Sequence, residues 1–86
     1  MTRLWPAGEP VQMALDPTGA PQGFLWDGDW HPIAAIASRW RVHTGWWAPE
    51  SAAWQEYVKV ITADRLLCIL AHDLQNDEWR LVRLFD

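Results

Sequence analysis

Turn-forming residues punctuate this chain at short, fairly regular intervals, and that spacing limits what it can fold into more than any other feature. Pro6-Ala7-Gly8-Glu9-Pro10 makes an irregular opening. Asp16-Pro17-Thr18-Gly19-Ala20-Pro21 combines a preset φ at proline, left-handed freedom at glycine and a side-chain acceptor at aspartate. Asp27-Gly28, between Phe24-Leu25-Trp26 and Trp30, is the strongest two-residue hairpin signal in the sequence. Thr62-Ala63-Asp64 and Asp73-Leu74-Gln75-Asn76-Asp77 mark two later connections. Most intervals between these breaks are ~5–10 residues, the length of strands and short for helices. They are rich in Val, Ile, Thr, Tyr, Phe and Trp, which suit a pleated surface.

The spacing predicts one all-β domain over 1–86, with an irregular lead-in at 1–9 and strands near 10–15, 22–27, 30–42, 54–62, 66–72 and 78–85. Val11, Met13 and Leu15 alternate with Gln12 and Ala14; Trp40 and Val42 alternate with Arg39, Arg41 and His43. Trp79, Leu81, Arg83 and Phe85 fall on one face of the last segment, and Glu78, Arg80, Val82 and Leu84 on the other. Leu66–Ala71 is apolar at both parities, as in a strand covered on two sides. A short chain meets that demand by curling a six-stranded antiparallel meander into a small barrel or half-barrel. Ile33 and Ile36 break the alternation, which predicts a bulge or bend within Pro32–Ala37. Residues 49–57 have an alternative reading as a short helix, with Pro49 in its first turn and Glu50 early.

Aromatic content bears on how so small a core could hold. The 86 residues include eight tryptophans, two phenylalanines and one tyrosine. Each such side chain can remove ~150–250 Å² from water. The indoles, Trp40 among them, are therefore expected first as core, with one to three left for a surface. Half of the residues are hydrophobic, 21% are charged and the net charge is −4, which excludes the disordered class. No apolar run reaches the ~18 residues of a membrane span, and the N-terminal residues do not read as a signal peptide. With a single cysteine, Cys68, these features point to a cytoplasmic protein away from membranes.

Few residues are grouped as chemistry would need. His31, His43, Cys68 and His72 lack metal-ligand spacing, and Cys68 and His72 would sit ~13 Å apart along a strand. Ser38, Ser51 and Cys68 have no nucleophile setting around them, and the five glycines are too dispersed for a phosphate loop. Asp27/Asp29 and Asp77/Glu78 read as solvated turn acids. The expectation is a non-catalytic protein without metal or cofactor. Binding is what remains, and Arg39-Trp40-Arg41 followed by Gly45-Trp46-Trp47 is where cations and aromatics interleave. Arg39, Arg41, Trp46 and Trp47 are the candidate binding residues. They suit a protein partner, through partly exposed indoles, or a single-stranded nucleic acid, through stacking and phosphate contacts. The acidic balance argues against duplex DNA. Arg39 and Arg41 either join Lys59 and Arg83 in a basic stripe or pair with Glu56, Asp73 or Glu78. Self-association through an exposed edge at 54–62 or 78–85 is a third reading.

One pattern spans nearly the whole chain: Arg3-Leu4-Trp5-Pro6-x-Gly8-Glu9-Pro10, Phe24-x-Trp26-x-Gly28, Arg39-Trp40-Arg41-Val42-x-Thr44-x-Trp46-Trp47, Tyr57-x-Lys59-Val60, Leu67-Cys68, Asp73-Leu74 and Trp79-x-Leu81-x-Arg83. It resembles a bacterial domain of unknown function. That domain is found alone, as in Deinococcus-type bacteria, and at the C-terminus of catalytically degenerate relatives of Y-family DNA polymerases that act in damage-induced mutagenesis. The resemblance implies a setting in DNA damage tolerance and carries over no catalytic residue.

Overall fold

The computed structural model describes residues 2–44, 53–74 and 76–85. Within them the chain is all-β, with strands β1 (Thr2–Leu15), β2 (Pro21–Trp26), β3 (Asp29–Thr44), β4 (Ala53–Thr62), β5 (Leu67–Asp73) and β6 (Glu78–Phe85). Consecutive strands pair antiparallel and β6 returns to β1, which closes a barrel in the order β1-β2-β3-β4-β5-β6. The Asp27-Gly28 hairpin forms as the sequence predicts, with both residues at positive φ (53° and 80°). The Asp16 carboxylate closes the β1–β2 turn by accepting from the Thr18 and Ala20 amides, both at 2.9 Å.

Two expected boundaries are corrected. The stretch 1–9, expected as an irregular lead-in, is from Thr2 onward the first part of β1. Proline and glycine are accommodated there by a wide bulge: Leu4 opposes Arg83 and Glu9 opposes Leu81, so Trp5–Gly8 face a single residue of β6. The helical alternative over 49–57 fails where it can be judged. Residues 53–57 are the start of β4, paired to β3 from Thr44↔Ala53 onward, and 49–52 lie outside the described residues.

β1 and β3 each serve two sheets. β1 pairs with β6 up to Val11 and with β2 from Gln12 onward. β3 pairs with β2 over Asp29–Pro32 and with β4 from Ile33 onward. The predicted irregularity at Pro32–Ala37 consists of bulges at Ala34 and Ala37, where Ile33, Ile36 and Arg39 oppose Thr62, Val60 and Val58. Directly opposed residues of an antiparallel pair share a face. Ile33, Ile36 and Arg39 therefore all point inward at a spacing of three.

The interior is aliphatic more than aromatic. Phe24, Val58, Val60, Cys68, Leu70, Trp79, Leu81 and Leu84 form the buried cluster, with Trp5, Val11, Met13, Trp26, Ile33 and Leu66 packed against it. Trp79 is the one indole among the described side chains that belongs to the buried core. Trp5 and Trp26 meet edge to face at the rim, with centroids 5.5 Å apart. Trp30 and Trp40 are 50% and 40% exposed, so the expectation that Trp40 fills the core is overturned. β6 also departs from simple alternation. Leu70 opposes Leu81 and Ile69 opposes Arg83, so Val82 is an extra residue; Leu81 and Leu84 both face inward and Arg83 outward. β5 is buried on its inner side at Cys68 and Leu70, while on its outer side Ala71 is buried and Leu67 and Ile69 are half-buried.

Candidate binding site at the open end of the barrel

The β3–β4 hairpin runs past the end of β2, and this overrun explains the exposure of Trp40. Beyond Pro32 no described strand lies on the other edge of β3, and the β3 half of the arm is exposed on both faces from Ser38 to Arg41. Trp40 and Tyr57 pair across its outer face and stack, with centroids 5.6 Å apart and planes 14° apart. Such cross-strand aromatic pairs are a recurrent source of sheet stability. Tyr57 Oη donates to Gln55 Oε1 at 3.3 Å.

Arg39 and Arg41 occupy the inner face, opposite Trp40 as the alternation predicts. Arg39 Nη2 donates to Glu56 Oε1 at 2.8 Å, and Arg41 Nε lies 3.5 Å from Glu56 Oε2. One carboxylate is shared by two guanidiniums. The Arg39 hydrogen bond, with smaller contributions from its charge and from Arg41, holds the Glu56 carboxyl below its ordinary 4.5 against the opposing effect of burial. Lys59 and Arg83 do not join these arginines. Lys59 opposes Ser38 and Ile69, and Ile69 opposes Arg83, which places both cations in an outer row. The continuous basic stripe is therefore absent.

The ladder carries the inner row across the mouth of the barrel: Arg41↔Glu56↔His72↔Trp79↔Val11. At strand spacings of ~4.8 Å the row spans roughly 19 Å. His72 lies flat on Trp79, with centroids 4.0 Å and planes 5° apart, and its Nε2 donates to Asp77 Oδ1 at 2.7 Å. Asp77 sits at positive φ in the β5–β6 turn, which aims its carboxylate back at the imidazole. Beside Trp79, where β1 leaves β6 for β2, opens a cleft of about 530 Å³ lined by Val11, Met13, Leu15, Asp77, Glu78 and Arg80 among others.

Of the four predicted site residues, Arg39 and Arg41 are brought together on the arm. Trp46 and Trp47 lie outside the described residues. No local sequence signal marks Tyr57, His72, Asp77 and Trp79 as site residues, because their places depend on pairing between strands distant in the chain. The expected free edges at 54–62 and 78–85 are not there: β4 lies between β3 and β5, and β6 between β5 and β1. In comparison with known proteins, no family model, no curated protein and no solved structure matches this chain.

Proposed function

We propose that this domain is a non-catalytic binding module that docks a protein partner on the β3–β4 arm and the adjoining barrel mouth. The observation that carries the reading is the arm itself, with exposed Trp40 stacked on half-buried Tyr57 on one face and Arg39 and Arg41 on the other. Tyrosine, tryptophan and arginine are the residue types that dominate binding energy at protein interfaces. A setting in bacterial DNA damage tolerance rests on the resemblance of the Trp-rich pattern, and a place in the cytoplasm on the single cysteine, Cys68.

Photo-crosslinking at position 42 in cells tests this reading. The expected result is a discrete adduct that Trp40→Ala and Arg41→Ala both weaken while the purified variants stay folded. Failure to trap any protein, or adducts that both variants leave unchanged, would overturn it.

Single-stranded nucleic acid binding is the second reading, favoured by the exposed indole of Trp40 as a stacking surface. The sharing of Glu56 by Arg39 and Arg41 works against it, because the cluster keeps one net positive charge where a phosphate backbone needs a run of cations. Quenching of tryptophan fluorescence by an oligonucleotide, fading steeply with salt, would favour it over protein docking.

A further inference from the structure

The arm leaves the edge of β3 that faces away from β4 open along most of its length. β2 occupies that edge only over Asp29–Pro32, and among the described residues no strand pairs with it from Ile33 to Thr44. Natural sheets usually blunt such an edge with proline, bulges or inward charges, since unpaired amides and carbonyls are a template for another strand. β1 does so: its stretch paired only to β6 contains Pro6, Pro10 and the Gly8 bulge. β3 has no proline from Ile33 to Thr44, and past the Ala37 bulge it pairs regularly with β4 to its end; its inward charges, Arg39 and Arg41, guard the edge against apolar and basic strands and leave it open to an acidic one.

The inner face beside this edge also lacks cover. Ile36 opposes Val60, which is fully buried, yet Ile36 itself is 37% exposed. Further out, Arg39 and Arg41 share one carboxylate, which leaves a net positive charge on an otherwise acidic protein. An added strand would lay its inward side chains over Ile36, Arg39 and Arg41 in turn. A second copy of β3 fits this poorly: antiparallel pairing centred on the 36–42 stretch sets Arg39 against its own copy, and opposed like charges destabilise a sheet.

We infer that the free edge of β3 between Ile36 and Val42 accepts an extended acidic peptide as an additional antiparallel strand, with an apolar side chain over Ile36 and carboxylates meeting Arg39 and Arg41. The inference rests on the docking reading above and names the partner's chemistry. Main-chain hydrogen bonds supply the affinity of such a complex and the alternate side chains its selectivity.

The probe is acetyl-Thr-Glu-Thr-Glu-Thr-Leu-Thr-amide, whose glutamates and leucine fall on one face in the order the antiparallel arm demands. Binding is followed by amide NMR shifts and hydrogen exchange on the folded domain. Saturable binding is expected, with slowed exchange among the amides of 36–42 and at least tenfold weaker binding when lysines replace the glutamates. N-methylation of the peptide amides that face β3 should abolish binding, and methylation of the alternate amides should leave it intact. That control alters no residue of the protein, so loss of folding cannot mimic the result. Arg39→Ala with Arg41→Ala should weaken binding tenfold or more.

Equal binding of the glutamate and lysine peptides, or indifference to which amides are methylated, would overturn the inference. A dimer that buries the 36–42 edge in sedimentation and exchange experiments would overturn it too, with a second copy as the occupant. If the peptide fails to bind while the position-42 crosslink still depends on Trp40 and Arg41, the strand-addition inference falls and the docking reading stands.

Discussion

Ile36 stands directly opposite Val60 across the β3–β4 ladder, yet Val60 is fully buried and Ile36 is more than a third exposed. The boundary of the hydrophobic core passes between these two neighbours. Inside it the barrel is closed by β2; outside it β3 continues without cover. Truncation should report that boundary. Val60→Ala removes two methyl groups from a packed interior and should cost about 2 kcal/mol or more, whereas Ile36→Ala should cost about 1 kcal/mol or less. Urea denaturation of the two variants checks the contrast, and equal losses would mean that the arm's inner face is covered.

Trp40 and Trp79 should separate in the same way. Trp79→Ala empties a buried site and should cost ~3–5 kcal/mol, in the range typical of large core truncations. Trp40→Ala forfeits a cross-strand stack on Tyr57 and should cost about 1 kcal/mol, with the fold retained. Thermal melts and near-ultraviolet circular dichroism distinguish these outcomes.

Glu56 gives the arm an acid-sensitive clamp. Its carboxyl titrates lower in the fold than in the unfolded chain, chiefly because Arg39 donates to the charged form. A depressed carboxylate adds stability above its unfolded pKa and loses that contribution as pH falls through the lowered folded value. Carbon-13 titration of Glu56 should therefore show a midpoint below 4.5 that moves upward in Arg39→Ala. Arg41→Ala should move it less.

Cys68 faces the interior, and burial first, with the Asp64 charge second, raises its thiol from 9.0 to about 11. In native protein at pH 8 it should resist maleimide and react only on unfolding. The unfolded chain ionises first, so the contribution of Cys68 to stability should decline as pH rises from about 9 toward 11.

Gly8 meets two demands at once. Its φ is +78°, and a Cβ there would lie 2.7 Å from Arg80 Cβ, at the base of that side chain where little can give. Gly8→Ala should cost at least ~1 kcal/mol. Gly19 also has positive φ but nothing near its α-carbon, so Gly19→Ala should cost less. Paired denaturation curves separate steric contact from conformational strain.

Much of the barrel was legible in the chain, because turn chemistry is local. Asp27-Gly28, the Asp16 turn and the broken alternation at Ile33 and Ile36 each form as their residues dictate. Facing was harder to read. Alternation correctly sets Arg39 and Arg41 against Trp40, but it cannot say which side is the interior, and it assumes that an interior exists at that height. The last strand shows the second difficulty. One extra residue at Val82 reverses parity, so Leu84 turns inward and Arg83 outward, and nothing in the local sequence marks the bulge. The shared carboxylate of Glu56 depends on ladder register, which only the folded sheet determines.

The twin bulges at Ala34 and Ala37 offset one another in an unequal way. Together they slide the outer arm two positions along β4 and leave its sidedness unchanged, since two half-turns of the pleat restore the original facing. Each alanine is the extra residue of its bulge, so deleting either would close that bulge and leave the pairing and facing on both sides of it as they stand. Deleting both would give a regular ladder with the same reach and the same side toward the partner. The arm can therefore lose length at these two positions without turning over, because the slack is already held there as an unpaired residue.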